Sequence, residues 1–123
     1  MSSEQLRAIR GATTCESDSP DEIFEATQEL LLMIMDRNDL AHDDIVSVIF
    51  TTSPDLTSAF PATGARDIGF GDIPLLCASE IDVPGAMARC IRVMAHVFTT
   101  KSRSQLRHVY LRRAQVLRDD LPE

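Results

Sequence analysis

At 123 residues the chain fits one domain, large enough to bury a single core and too short for two. Its longest apolar run, Leu30 to Met35, ends at Asp36 and cannot span a bilayer. Met1-Ser2-Ser3-Glu4-Gln5 lacks the basic start and apolar stretch of a secretory signal, so a cytoplasmic location is expected. A formal net charge of −7 makes nucleic acid a poor partner, because the phosphate backbone rewards positive fields.

Charge is uneven along the chain. Residues 1–50 hold eleven acids and three bases, and residues 51–118 hold five acids and nine bases, which leaves room for a local basic pocket that takes a small anion. Cys15, Cys77 and Cys90 are an odd number with no close pair, so they read as reduced thiols rather than a disulfide framework or a C-x-x-C site.

The first predicted element is a strand over Leu6 to Thr13. Ser19-Pro20-Asp21-Glu22 then reads as a helix start, with Ser19 as N-cap, proline at the first helical position and Glu22 completing a capping box. Ile23, Ala26, Leu30, Leu31 and Ile34 keep helical spacing to about Arg37, and Asn38 can end the helix in a left-handed turn. Ile45 to Thr52 is β-branched and almost continuously apolar, as a covered central strand should be.

Pro61 to Ile68 predicts a short helix before the Gly69-Phe70-Gly71-Asp72 turn, and Ile73 to Cys77 another strand. Met87, Cys90, Ile91, Met94 and Val97 or Phe98 recur at three-to-four spacing, which predicts a second long helix over Ala86 to Phe98. Leu106 to Leu111 predicts a last strand, and Arg112 to Leu117 one more turn. The expected fold is α+β: a ferredoxin-like mixed sheet with its helices on one face. The other sheet face would then be apolar and open, which favours an oligomer.

Several kinds of chemistry are disfavoured. His42, His96 and His108 stand far apart and none has a ligand at helical spacing, which argues against a metal. No nucleophile elbow is present, Cys77 and Cys90 read as small buried hydrophobes, and Gly69-Phe70-Gly71 lacks the third glycine of a nucleotide loop. What stands out is arginine inside apolar, β-prone stretches: Ile9-Arg10-Gly11 and Cys90-Ile91-Arg92-Val93, with Glu80 and Tyr110 in similar company. A lone arginine of this kind usually packs its stem and keeps its head in water. As a set, fixed cations drawn inward need an anion, and such a set suits binding and electrostatic stabilisation better than covalent chemistry.

Ile9-Arg10-Gly11-Ala12-Thr13-Thr14, Ser53-Pro54-Asp55-Leu56, Phe60-Pro61-Ala62, Cys77 through Glu80, Cys90-Ile91-Arg92-Val93-Met94 and Arg107-His108-Val109-Tyr110-Leu111 together resemble the monofunctional chorismate mutases of the trimeric α/β, pseudo-barrel class. The resemblance spans nearly the whole chain. It implies the pericyclic rearrangement of chorismate to prephenate, a step toward phenylalanine and tyrosine, with no cofactor and no enzyme-bound intermediate. Negative charge collects on the ether oxygen as its bond to carbon breaks, and a cation placed there lowers the barrier.

By the family pattern Arg92 would meet that oxygen, while Arg10 and Tyr110 would hold carboxylate and keep the dianionic substrate in its compact conformer. Glu80, with the backbone at Cys77, would bind the ring hydroxyl, and Leu76 is expected among the substrate-binding residues. Phe60, Ala62, Thr63 and Arg66 match positions that the neighbouring subunit contributes, so that sites would lie between the subunits of a homotrimer. Leu117 and Arg118 match a C-terminal segment that closes over the ligand. Thr63 departs from the pattern, standing where some relatives carry a basic residue, which puts one peripheral charge contact in doubt. Two rival readings share the arginine set: an enamine or imine deaminase of similar trimeric fold, and a non-catalytic sensor of a carboxylate metabolite.

Overall fold

A computed structural model describes residues 3–118, with Arg118 described by its backbone alone. Five strands form one mixed sheet: β1 (Gln5–Thr14), β2 (Ile45–Thr52), β3 (Leu75–Ser79), β4 (Cys90–Thr99) and β5 (Val109–Tyr110), in the order β3-β2-β4-β1-β5. β4 lies at the centre and runs antiparallel to both β1 and β2, while β3 and β5 add in parallel at the two edges.

One long helix, α1 (Pro20–Arg37), and the short α2 (Pro61–Ala65) pack on the same side. Ser19 caps α1 as its sequence predicts, its hydroxyl accepting from the Glu22 amide at 3.2 Å. The return arm of the predicted box is redirected, because the Glu22 carboxylate accepts from the Glu16 amide at 2.9 Å. Ile23, Ala26, Leu30, Leu31 and Ile34 are all buried against the sheet. Leu30 and Ile34 come so close to β1 that a Cβ at Gly11 would meet their methyl groups at 3.0–3.1 Å. The tips of these two helix side chains therefore rest directly on the β1 backbone at this point.

The helix ends differently from expectation. Asn38 keeps a negative φ of −113°, and the left-handed residue is Asp39, at φ 52°. Asn38 instead turns its amide inward, where Nδ2 donates to the Ile34 and Arg107 carbonyls, each at 2.9 Å, and Oδ1 accepts from the Arg107 amide at 2.7 Å. α2 stops at Ala65 rather than Ile68, and the chain continues through a wide turn over Arg66–Phe70 in which Gly69 supplies φ 102°. α2 lies against α1 so closely that a Cβ at Gly64 would stand 2.9 Å from the Phe24 Cα. Gly64→Ala must push the two helices apart, and a loss of about 1–3 kcal/mol in urea unfolding is expected; a midpoint equal to wild type would contradict this packing.

The largest correction concerns residues 86–98. No helix forms there; Cys90–Thr99 is the central strand, preceded by a turn. Ile91, Val93, Ala95, Val97 and Thr99 are buried beneath α1 and α2, while Arg92, Met94 and Phe98 point to the opposite face, where Met94 and Phe98 stay 37% and 44% exposed. His96 is therefore a strand residue, not a helical one. The third strand also shifts, from the expected start at Ile73 to Leu75, and the last shrinks to Val109–Tyr110, leaving His108 just outside it. A 3-10 helix over Arg112–Arg118 supplies the predicted final turn.

The sheet thus has one face covered by helices and one open. A bulge between Ile45 and Ser47 resets β2 so that Val48 and Phe50 enter the core while Ile49 and Thr51 turn to the open face. Leu6, Leu76, Met94 and Phe98 leave that face apolar and accessible. No described helix is long and apolar enough to cross a membrane.

Candidate active site

Register brings the charged residues together. In the β1–β4 ladder Arg10 stands opposite Met94 and Ala12 opposite Arg92, so the two arginines are diagonal neighbours on adjacent strands. Tyr110 pairs with Ala12 from the other side, and Thr51 of β2 stands opposite Arg92. Glu80 follows β3 and continues its ladder, its amide donating to the Thr52 carbonyl at 2.8 Å. Four strands therefore deliver Arg10, Arg92, Tyr110 and Glu80 to one cavity of about 250 Å3 on the open face, floored by Gly11, Ala12, Ile49, Val93 and Met94.

Within it, the Arg92 Nε lies 3.9 Å from Glu80 Oε2, and the Thr51 hydroxyl donates to the same carboxylate oxygen. Both side chains are partly solvated, so the pair orients the guanidinium more than it stabilises the fold. A larger hollow of about 620 Å3 shares Glu80 and Arg92 with this cavity and extends beneath the Ile81–Ala88 loop. That loop is tied down at its C-terminal end. The Asp55 carboxylate accepts twice from the Arg89 amide, at 3.0 and 3.1 Å, and Ser53 both donates its amide to the Cys90 carbonyl and accepts from the Cys90 amide at its hydroxyl. The Ser53 hydroxyl, donating to Asp55 at 2.5 Å, is the main cause holding the Asp55 carboxyl below the usual range.

Tyr110, Ala12 and Cys90 form a buried cluster closed by Ala114, with Met87 and Leu117 packed over it. Leu117 of the C-terminal 3-10 helix thus packs against a cluster that includes Ala12 and Tyr110, two residues that line the cavity. The Arg118 side chain lies outside the described residues. Burial raises the Cys90 thiol, and burial with Glu22 beside it pushes Cys15 up to about 11, so neither is set up as a nucleophile.

The structure does not bring the remaining predicted residues to this cavity within one chain. Cys77 lines a different hollow of about 500 Å3 with Phe60, on the far side of β3, and Leu76 is 61% exposed on the open face of that edge strand. Phe60 is 68% exposed, whereas Ala62 is buried in α2, Thr63 is half-buried and Arg66 exposed. Thr51 was missed from sequence, as was Arg112. Arg112 faces away from the cavity, donates to the Thr14 carbonyl at 3.0 Å and lies 3.4–3.9 Å from Glu22, Glu25 and Glu29 of α1. It is a structural cation that binds the last helix to the first. Among the described residues no cluster of histidine, cysteine and carboxylate could hold a metal ion.

The family model for chorismate mutase type I matches residues 6–121. The chain is 50% identical over 117 residues to the chorismate mutase AroH of Thermus thermophilus, covering 94% of this chain and 96% of that one. It is 43% identical to the chorismate mutase AroH of Bacillus subtilis (strain 168), over 94% and 92% of the two chains. Among solved structures, a chorismate mutase from Clostridium thermocellum superposes with a TM-score of 0.88 at 50% identity, covering 89% of this chain and 98% of that one. The chain belongs to the type I chorismate mutase family.

Proposed function

We propose that this chain is a chorismate mutase acting by conformational restriction and electrostatic stabilisation. The observation that carries the reading is the convergence of Arg10, Arg92, Tyr110 and Glu80 on one cavity in a chain of this family. Arg10 and Tyr110 hold carboxylate of the dianion, Glu80 takes the ring hydroxyl, and Arg92 meets the ether oxygen as its negative charge develops. Nothing in the step requires a proton to move, which fits a cavity whose charged groups are two fixed cations and one carboxylate. The enzyme serves the aromatic branch of the shikimate pathway, in the cytoplasm, as a single domain over residues 1–123 and without a cofactor.

The working unit is a homotrimer with sites between subunits. Two features support it: the exposed apolar residues Leu6, Leu76, Met94 and Phe98 on the open face, and the projection of Phe60 away from its own chain's cavity. Phe60, Ala62, Thr63 and Arg66 then complete a neighbour's site, while Leu76 and Cys77 supply backbone, and Leu117 with Arg118 closes it.

The test is loss of chorismate absorbance on adding purified protein without metal or cofactor, with prephenate identified by its acid conversion to phenylpyruvate. Turnover at enzyme-like rates is expected. A folded protein that leaves chorismate unchanged would overturn the reading and return the chain to a deaminase or a carboxylate sensor.

A further inference from the structure

Arg10 is held by an unusual main-chain partner. Its amide points away from β4, toward the strand position that β5 leaves empty, since the β1–β5 ladder begins only at Gly11 and Val109. The gap is filled by a side chain: His108 Nδ1 accepts the Arg10 amide proton at 2.9 Å. A backbone amide can only donate, so this ring is neutral and carries its proton on Nε2.

We propose that His108 is a positioning residue for the proposed reaction, its neutral imidazole fixing the backbone from which Arg10 reaches the substrate and releasing it on protonation. The proposal rests on the chorismate mutase reading for its kinetic consequences, although the hydrogen bond itself does not depend on it. A protonated ring has no lone pair at Nδ1. The Arg10 amide would lose its acceptor, and a second positive charge would stand beside the arginine that takes carboxylate.

The surroundings oppose that charge. A hollow of about 390 Å3 beside the ring is lined by Arg7 of β1, His96 of β4 and Arg103 of the Arg103–Gln105 turn, together with His108 itself, and no carboxylate among the described residues lines it. His96 is occupied by the Ser47 hydroxyl at 3.3 Å, and the Arg107 guanidinium turns back to the Ser104 and Leu106 carbonyls. Burial first, and the Arg10 charge second, hold the His108 ring below the ordinary histidine value. The ring therefore stays neutral to lower pH than an ordinary histidine would.

Two variants and one spectrum separate the possibilities. In His108→Asn the amide oxygen occupies much the same place as Nδ1 and does not titrate. KM for chorismate within about threefold of wild type at pH 7.5 is expected, together with loss of the acid-side fall in kcat/KM that the wild-type enzyme should show. In His108→Leu the acceptor is gone, and KM should rise roughly tenfold, as for one lost hydrogen bond, with kcat little changed. An acid limb that persists in His108→Asn, or a wild-type KM in His108→Leu, would overturn the proposal. Independently of turnover, nitrogen NMR of the wild-type ring should show the Nε2-protonated tautomer at pH 7; the other tautomer would refute the geometry even in a protein without mutase activity. Absence of chorismate turnover with the expected tautomer would instead count against the mutase reading alone.

Discussion

Replacing Arg92 by lysine is expected to lower kcat for chorismate by about 10^2–10^3-fold while leaving the protein folded. The size follows from what the guanidinium does at once. Through Nε it faces Glu80, 3.9 Å away, while the guanidinium lines the cavity that takes the substrate. An ammonium at the end of a flexible stem presents one point of charge; drawn to Glu80, it leaves the ether oxygen, and drawn to the oxygen, it leaves Glu80 unbalanced beside a dianion. Stability should move by less than about 0.5 kcal/mol, because the side chain is 44% exposed and its ion pair is partly solvated. Steady-state kinetics alongside a thermal melt gives both numbers. A kcat within fivefold of wild type would remove Arg92 from the centre of the mechanism. Arg92→Ala should be worse still, since it leaves Glu80 without its cation in the cavity that receives the substrate's negative charge.

The legibility of this site from sequence depended on chemistry that stands out against its background. Arg10 and Arg92 are conspicuous because a fixed charge inside an apolar, β-prone stretch needs an explanation, and the structure places both, with Glu80 and Tyr110, around one cavity. Thr51 carried no such signal. A threonine at the end of a strand is ordinary, and its role appears only when parallel pairing with β3 brings Glu80 within reach of its hydroxyl. Phe60, Ala62, Thr63 and Arg66 are a different case: the family pattern names them, yet no fold of one chain gathers them with Arg10.

The misread strand has an equally specific cause. β4 buries Ile91, Val93, Ala95 and Val97 on one face, but its other face carries Met94 and Phe98, so the alternation that marks a half-buried strand is blurred and a helical spacing can be threaded through the same residues. The apolar open face that favours oligomerisation is thus what hid the strand. β1 escaped the ambiguity because its open face alternates alanine with Arg10, and β2 because its β-branched run is too dense for a surface helix. The shortness of β5 could not be read at all, since His108 ends it by substituting a ring nitrogen for a strand carbonyl.

The second large effect is expected far from the cavity, at Asn38, where Asn38→Leu should cost about 2–4 kcal/mol in urea unfolding. The side chain is 1% exposed and uses three of its four hydrogen-bonding capacities: both amide protons, to the Ile34 and Arg107 carbonyls, and one lone pair, from the Arg107 amide. Leucine fills the space but leaves those main-chain groups buried without partners. Asn38→Asp keeps the shape and faces two carbonyls with a carboxylate, so its folded-state pKa must rise above the unfolded value. That residue then destabilises most at neutral pH and least below about pH 4, the reverse of a carboxylate in a salt bridge. Unfolding at pH 7.5 and pH 4, each against wild type, should show the Asn38→Asp deficit shrinking with acid while the Asn38→Leu deficit stays constant. A loss under 1 kcal/mol in Asn38→Leu would mean that water replaces the amide and that the site is not sealed. Because Arg107 is the residue before His108, loosening this anchor should also raise KM through the same Arg10 backbone contact, which joins the end of the first helix to the substrate's carboxylate through two side chains that never touch it.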